Sequence, residues 1–308
     1  MLAALLCVAL GAAVVYGLLG VKRDVAHHFH QTPRHAVASA HRHSVKEGAA
    51  VALAVSARFS TPPTTTAPSV SPSPESPAAA TIAPAVGGGR PRLAIIIDDC
   101  GNSMERDGRF LTLPIPLTMS ILPMTPHALE IAQAAEAAGK HVILHLPMEP
   151  ESAAVHPGPG AVTTAMTDDQ VQSQVAADLA ALPYVPGANN HMGSKATSDA
   201  RVMRDVMQVL KKDNRFFIDS MTSGASVGAS TAREMGVPTA SRDVFLDNSA
   251  TVSYVEGQLN EAMHVALKDG EAIAIGHPNP ATAQALAALI PQIQAAGVTF
   301  VSADTLVR

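Results

Sequence analysis

Short apolar runs alternate with longer amphipathic segments from Arg92 to the end of the chain. The runs are rich in β-branched residues, which is typical of buried parallel strands. Eight candidate strands follow from this pattern: Leu93–Ile97, Leu117–Leu122, His141–Leu146, Tyr184–Asn189, Arg215–Ile218, Asp243–Leu246, Glu271–Ile275 and Val298–Val301.

The segments between several of these strands carry apolar residues at helical spacing. One predicted helix is opened by a capping box formed by Thr167 and Gln170. The other predicted helices are His127–Ala138, Ser198–Lys212, Thr251–Lys268 and Pro280–Ala296. Seven or eight successive βα units favour a closed or nearly closed (β/α) barrel over an open doubly wound sheet. No glycine-rich dinucleotide fingerprint follows the first strand, which weakens the open alternative further.

Two segments of different character precede this region. Residues 1–21 are apolar and uncharged, long enough to span a bilayer, and are predicted to form a transmembrane anchor or uncleaved signal. Lys22 and Arg23 follow the span, and by the positive-inside tendency alone they would place the rest of the chain in the cytoplasm. Residues 22–91 are rich in Ala, Pro, Ser, Thr and His and predict a disordered linker. The folded domain is therefore expected at 92–308.

Composition excludes some classes of function. The 308 residues include 21 basic and 26 acidic side chains, for a net charge of -5, and no basic stripe indicates nucleic-acid binding. Aromatic residues make up 3% of the chain and Trp is absent, which counts against a site that grips sugars or bases by stacking. Cys7 and Cys100 lie in segments too different to form a disulfide, so they leave the redox compartment open.

Polar side chains cluster where the predicted strands end. The first strand ends in Asp98 and Asp99. One Asp at such a position often only caps the next helix, but two adjacent carboxylates after an apolar run need a cation or hydrogen bonds to compensate their charge. Later strand ends carry His145, Glu149, Asn189, Asn190, His191, Asp219, Asp247 and His277. The carboxyl ends of barrel strands converge on one rim, so we expect the site there.

This set of residues suits metal-assisted hydrolysis. One carboxylate and two neutral imidazoles, with a position left open for water, form a common catalytic arrangement for zinc and similar divalent ions, and Asp99, His145 and His191 fit that count. Asp98 is then expected to act as the base that takes a proton from water, and His277 as the acid that protonates the leaving group.

Four motifs in this order resemble a known family: Ile-Asp-Asp-x-Gly from Ile97, His-Leu-Pro-Met-Glu-Pro at 145–150, Asn-Asn-His-Met-Gly-Ser at 189–194 and Gly-His-Pro at 276–278. They resemble the divergent polysaccharide deacetylases, a branch of the NodB-like superfamily (carbohydrate esterase family 4), over about residues 92–308. The resemblance implies a distorted (β/α) barrel, a divalent metal held by an Asp and two His, and hydrolysis of N-acetyl groups on a glycan. Members are typically exported or membrane-anchored in Gram-negative bacteria. The resemblance therefore implies a periplasmic domain that is anchored in the inner membrane and acts on a cell-envelope glycan such as peptidoglycan.

Two departures from typical polysaccharide deacetylases keep other functions open. Typical members carry two His on one H-x-x-x-H segment, whereas here His145 is followed by its partner only at His191, and the Arg-x-Pro-Tyr segment beside the base is missing. One alternative is a catalytically inactive module that binds glycan or a partner protein, and another is a different metallohydrolase on the same barrel. An active enzyme predicts an open groove near Asp98 and His277, and a binding module predicts a blocked or metal-free rim.

Overall fold

A computed structural model describes residues 89–308. Within this range the strands are β1 (Arg92–Cys100), β2 (Thr118–Ile121), β3 (His141–Met148), β4 (Gly187–Met192), β5 (Phe216–Asp219), β6 (Thr239–Ser241), β7 (Val244–Phe245), β8 (Glu271–Gly276) and β9 (Thr299–Val301). The helices are α1 (Met104–Leu111), α2 (Ala128–Ala137), α3 (Asp168–Ala181), α4 (Ala200–Lys212), α5 (Gly228–Met235), α6 (Val252–Asp269) and α7 (Pro280–Ala295), with short 3₁₀ helices at Ala196–Ser198 and Ala303–Leu306.

The nine described strands form one parallel sheet, in which eight follow the order β6-β5-β4-β3-β2-β1-β8-β7 and β9 pairs with β1 outside this order. Strand β1 is central, and it pairs with β8 from Arg92 to Ile97. Its opposite edge pairs first with β9, from Arg92 to Ala94, and then with β2 from Ile96 onward. The sheet with its helices is a parallel half-barrel, so the α/β class predicted from the sequence is confirmed.

The expectation of a closed or nearly closed barrel is wrong, because no pairing joins β6 to β7 in the described part of the chain. Only Arg242 and Asp243 separate these two strands. Parallel neighbours need a crossover of a dozen or more residues, so β7 cannot turn back beside β6 and pairs with β8 instead. The sheet therefore stays open between β6 and β7.

Side-chain alternation along the strands separates two apolar layers. In β1, Ile95 and Ile97 belong to the large core cluster that includes the helices. Ile96, which lies between them, belongs to a smaller inner cluster together with Ile143 of β3 and Ile275 of β8. Because successive side chains of a strand point to opposite faces, the residues two positions further on also face inward. Those residues are Asp98, His145 and His277, which places them above the inner apolar layer.

Helix boundaries follow local sequence signals. The capping box predicted at α3 is present, since Thr167 accepts from the Gln170 backbone N–H and the Gln170 side chain accepts from the Thr167 backbone N–H. Within residues 89–308, no helix is both long enough and apolar enough to cross a bilayer. The predicted anchor at residues 1–21 and nearly all of the predicted linker lie outside the described residues.

Candidate metal centre

Strand β1 brings two consecutive carboxylates to one place through a bulge. Between Ile97 and Cys100 the register with β2 shifts, so that Asp98 and Asp99 together oppose Ser120. Asp99 has a φ of 58°, in the left-handed region that non-glycine residues rarely adopt. In a regular strand these neighbouring side chains would point to opposite faces, and the bulge removes that restriction.

The predicted ligands lie within contact distance of each other. Asp99 Oδ1 is 2.8 Å from His191 Nδ1 and 3.2 Å from His145 Nε2, and the two imidazole nitrogens are 3.2 Å apart. The register of β3 with β4 pairs Pro147 with His191, so the two histidines project from neighbouring strands close to the same level. Ligand atoms of these three residues all lie within 4.8 Å of one another.

The surroundings of Asp99 fit a bound cation. Its Oδ1 atom is buried and makes no hydrogen bond, although two imidazole nitrogens lie beside it. Burial alone opposes ionisation, but the proximity of His145 and His191 holds the pKa of the Asp99 carboxyl well below its usual range. An ionised, buried oxygen without a donor is costly unless a positive charge meets it. One carboxylate and two imidazoles are the donor set that zinc and similar divalent ions accept.

Asp98 lies beside this group in a drier environment. The side chain is 5% exposed, and its Oδ2 atom is 3.7 Å from His145 Nε2. Burial, the dominant influence, raises the pKa of Asp98, and His145 and His277 offset that effect only in part. A raised pKa brings a carboxylate closer to the range in which it accepts a proton effectively at neutral pH.

His277 is held by a fully buried carboxylate. Asp247 Oδ1 is 2.9 Å from His277 Nδ1, and Asp247 Oδ2 accepts from the His277 backbone N–H at 2.7 Å. Asn279 Nδ2 and Thr282 Oγ1 also donate to Oδ2, each at 2.8 Å. Burial lowers the pKa of His277, but the bond to Asp247 and the charge of Asp98 outweigh it and raise the pKa to about 9. His277 is therefore protonated at neutral pH, with its Nε2 atom 3.9 Å from Asp99 Oδ2.

Asn189 connects two of the predicted residues. It is fully buried on β4, opposite His145 in the β3–β4 register. Its Oδ1 atom is 2.6 Å from Ser120 Oγ and 2.8 Å from His145 Nδ1, and its Nδ2 group donates to Asp98 Oδ1 at 2.8 Å.

An arginine lies on the His277 side of the rim. Arg242 donates from Nε and Nη2 to two backbone carbonyls at the end of β5. Its guanidinium stands 5.1 Å from the centre of the Phe245 ring, and that ring meets the His277 ring edge-on at 5.4 Å. The chain thus has a cation here even though the Arg-x-Pro-Tyr segment of typical polysaccharide deacetylases is missing.

A cavity of about 280 Å³ opens beside the predicted ligands Asp99 and His191. Its walls come from the loop after β2 and from the loop after β3, which includes His156–Pro159. A second cavity of about 510 Å³ adjoins His156, Pro157 and Gly158 from the other side. A cavity of about 610 Å³ at the open edge of the sheet contains none of the five predicted site residues. The space next to Asp99 is therefore where a substrate can approach the five predicted residues.

The five predicted residues come together, and their roles stay predictions: Asp98, Asp99, His145, His191 and His277. Two other strand-end carboxylates serve the scaffold instead. Asp219 accepts from Ser226 and from the Ala229 backbone at the start of α5, and Glu149 binds Thr164 and Lys195. The sequence pattern placed Asn189 and Asp247 among the strand-end residues without a specific role, and it did not single out Ser120. The alternation of side chains along a strand does indicate a role for Asn189, because Asn189 lies two residues before His191 and therefore faces the same side of the sheet.

Residues 95–307 match the profile of the family described as divergent polysaccharide deacetylase. Two uncharacterized bacterial proteins are relatives. YibQ of Escherichia coli K12 is 36% identical over 217 residues, which cover 70% of this chain and 67% of YibQ. A protein of Haemophilus influenzae is 39% identical over 197 residues, which cover 64% of this chain and 70% of that protein.

Two solved structures share the fold. The uncharacterized protein ATU2773 of Agrobacterium tumefaciens has a TM-score of 0.68 at 21% identity, covering 73% of this chain and 93% of ATU2773. A putative cellobiose-phosphate cleavage protein of Enterococcus faecalis has a TM-score of 0.50 at 13% identity, covering 71% of this chain and 100% of the other. Together with the profile match over residues 95–307, the relatives confirm the family predicted from the four motifs: the chain belongs to the divergent polysaccharide deacetylases.

Proposed function

We propose that this protein is a metal-dependent hydrolase that removes N-acetyl groups from a cell-envelope polysaccharide such as peptidoglycan. The observation that carries the proposal is the buried Asp99 Oδ1, which has no hydrogen bond and lies 2.8 Å and 3.2 Å from the nitrogens of two histidines. Membership of a polysaccharide deacetylase family supports the class of substrate.

Asp99, His145 and His191 are proposed to hold a divalent ion, with zinc as the first candidate. Such an ion supplies Lewis-acid polarisation of the amide carbonyl and makes water more acidic. The Nδ1 bond from His145 to Asn189 leaves Nε2 of His145 free to face Asp99, which suits a ligand role.

Asp98 and His277 are proposed to move the protons. Asp98 accepts a proton from the attacking water, because it is a carboxylate of raised pKa that lies beside, and not within, the ligand set. His277 donates a proton from Nε2 to the departing amine as the C–N bond breaks. Its pKa of about 9 keeps it protonated beforehand, and Asp247 holds Nδ1 so that Nε2 faces the site.

The alternative of an inactive binding module has less support. It predicts a blocked or metal-free rim, and a cavity of about 280 Å³ beside Asp99 and His191 argues against the blocked form. His277 is 34% exposed, so a substrate can reach its ring. An open approach to both the ligands and the acid favours turnover.

The test is metal content and acetate release on the full-length protein. We expect about one zinc per chain and release of acetate from at least one member of a panel of N-acetylated glycans. Asp99→Ala should abolish both, because it removes one of three protein ligands. Stoichiometric metal without acetate release from any glycan in the panel would favour the binding module, and absence of metal would end the proposal.

We further propose that residues 1–21 anchor the protein in the inner membrane and that the domain lies in the periplasm, despite Lys22 and Arg23. The length and Pro/Ser/Thr content of residues 22–91 suit a tether that reaches wall material. Protease added to spheroplasts should degrade the domain. Protection until the cells are lysed would place it in the cytoplasm.

A further inference from the structure

We infer that Asn189 is a positioning residue that links the ligand His145 to the base Asp98, so that one side chain sets the orientation of both. This inference rests on the proposed function. Asn189 is fully buried, and its amide makes three side-chain hydrogen bonds: with Ser120 at 2.6 Å, with His145 at 2.8 Å and with Asp98 at 2.8 Å. These bonds use the amide oxygen twice and the amide nitrogen once.

Asp98 determines which way the Asn189 amide points. A carboxylate only accepts hydrogen bonds, so the Asn189 NH₂ group must face Asp98 Oδ1. The reversed amide would place two acceptor oxygens against each other in a buried site. Asn189 Oδ1 consequently faces Ser120 and His145.

The fixed amide in turn selects the form of His145. Because Asn189 Oδ1 can only accept, His145 Nδ1 must carry a hydrogen. In the neutral ring this leaves the lone pair on Nε2, the atom that lies 3.2 Å from Asp99 Oδ1. A bond to the remote nitrogen of a ligating histidine both orients the ring and selects the binding nitrogen.

Removal of the Asn189 amide should therefore have two separable effects. We expect Asn189→Leu, which has nearly the same shape, to weaken zinc affinity by a factor on the order of 10 to 100, because the His145 ring loses its anchor. At saturating zinc the same variant should lower kcat on the order of 10-fold, because Asp98 loses its donor, with KM less affected. Asn260→Leu, the same change on α6, is the matched control and should leave zinc affinity and kcat unchanged.

A second background shows whether the rate effect passes through Asp98. In Asp98→Asn protein, adding Asn189→Leu should lower zinc affinity by the same factor as before but leave the residual kcat unchanged, since the group through which Asn189 acts is already lost. A purely structural role predicts equal losses of kcat in both backgrounds. Zinc affinity is measured by competition with a chromogenic chelator, and melting temperature is recorded on each variant.

Unchanged zinc affinity in folded Asn189→Leu protein would overturn the inference, as would equal kcat losses in the two backgrounds. If the Leu variant does not fold, Asn189→Ser also removes the amide that makes the three bonds, and it is judged by the same two outcomes. Zinc affinity can be measured whether or not the protein turns over a substrate. A wild type that binds zinc but releases no acetate would therefore end the proposed activity, while the affinity of the Asn189 variants would still decide the link to His145.

Discussion

Substitutions of the two histidines nearest Asp99 should reduce metal binding, whereas substitutions of Asp98 and His277 should reduce the rate of hydrolysis. His145→Ala or His191→Ala deletes a ligand atom within 3.2 Å of Asp99 Oδ1, so we expect bound zinc to fall severely. Asp98→Asn keeps the side-chain shape and the metal, but it removes the proton acceptor and should lower the hydrolytic rate by a factor on the order of 10² to 10⁴. His277→Ala should also spare the metal while slowing protonation of the leaving group.

Metal content and melting temperature, measured on the same four variants, separate these roles from mere local stabilisation. His264→Ala, at an exposed position of α6, is the control and should change neither quantity. If the four residues only satisfied local hydrogen bonds, all four variants would melt at a lower temperature and none would lose metal. Equal zinc in the wild type and both ligand variants would exclude the proposed centre.

The residue types of the site could be predicted from sequence, but their backbone geometry could not. Asp98 and Asp99 stand out because two charges follow an apolar strand. Their shared orientation depends on a bulge and on the positive φ of Asp99, and neither has a glycine or other local marker to announce it. Asn189 bonds to residues 44 and 91 positions away in the chain, a relation that depends on tertiary register.

At the scale of elements, the strands β1, β2, β3, β4, β5, β7, β8 and β9 and five helices agree with the sequence pattern, apart from shifted ends. Helices α1 and α5 and strand β6 were missed. Helix α1 is only eight residues long, and Phe110 is its one fully buried apolar side chain, so it has too few apolar positions to stand out from the neighbouring loops. Strand β6 has three residues and lies at a sheet edge, where few apolar positions are needed.

Helix α3 contains a buried carboxyl that makes stability depend on pH. Asp178 has no exposed surface, its Oδ2 atom has no hydrogen-bond partner, and burial raises its pKa to about 7, against a small opposing effect of its bond to Gln174. The folded state therefore binds the proton more tightly than the unfolded state. Stability should fall as pH rises from about 4 to about 7, by at most about 1.4 kcal/mol per pH unit from this group, and stay level above that range.

Asp178→Asn should remove this contribution. The amide keeps an oxygen for Gln174 and carries no charge, so we expect the variant to melt at a higher temperature than the wild type at pH 8 and to lose that advantage toward pH 4. Asp169→Asn, at an exposed position on the same helix, should give no gain at pH 8. A wild type more stable than Asp178→Asn at pH 8 would contradict the assignment of a raised pKa.

At the scale of the whole molecule, the parallel α/β architecture was predictable from the sequence, but the open state of the sheet was not. Seven or eight βα units suggest closure only if every pair of successive strands has room for a crossover. The two residues between β6 and β7 are too few for a crossover. The sequence pattern did not reveal β6, so this short connection could not be recognised from the sequence. The predicted site does not depend on closure, because its residues lie on or just after β1, β3, β4 and β8, and these four strands are paired within the sheet.

The N-terminal limit of the folded unit leads to a last prediction. Strand β1 lies at the centre of the sheet, and Arg92 at its start contacts Glu271 at 2.6 Å, which also binds Arg308 at 2.7 Å. Just before it, the Pro91 carbonyl accepts from the Thr299 backbone at 2.8 Å. We expect deletion of residues 1–88 to leave a soluble domain with one cooperative thermal transition at the temperature seen for the longer chain.

The protein that lacks residues 1–91 should also fold cooperatively, but it should melt at a slightly lower temperature because the Pro91 hydrogen bond to β9 is lost. The partly exposed ion pair of Arg92 is kept, and it contributes at most about 1 kcal/mol. Deletion through Ile95 removes the first four residues of the central strand and four of its six pairs with β8, so no cooperative transition should remain. Differential scanning calorimetry of the three truncations gives the ranking. Loss of the transition already on deletion of residues 1–88 would show that the fold needs the preceding segment and would move its boundary toward the N-terminus.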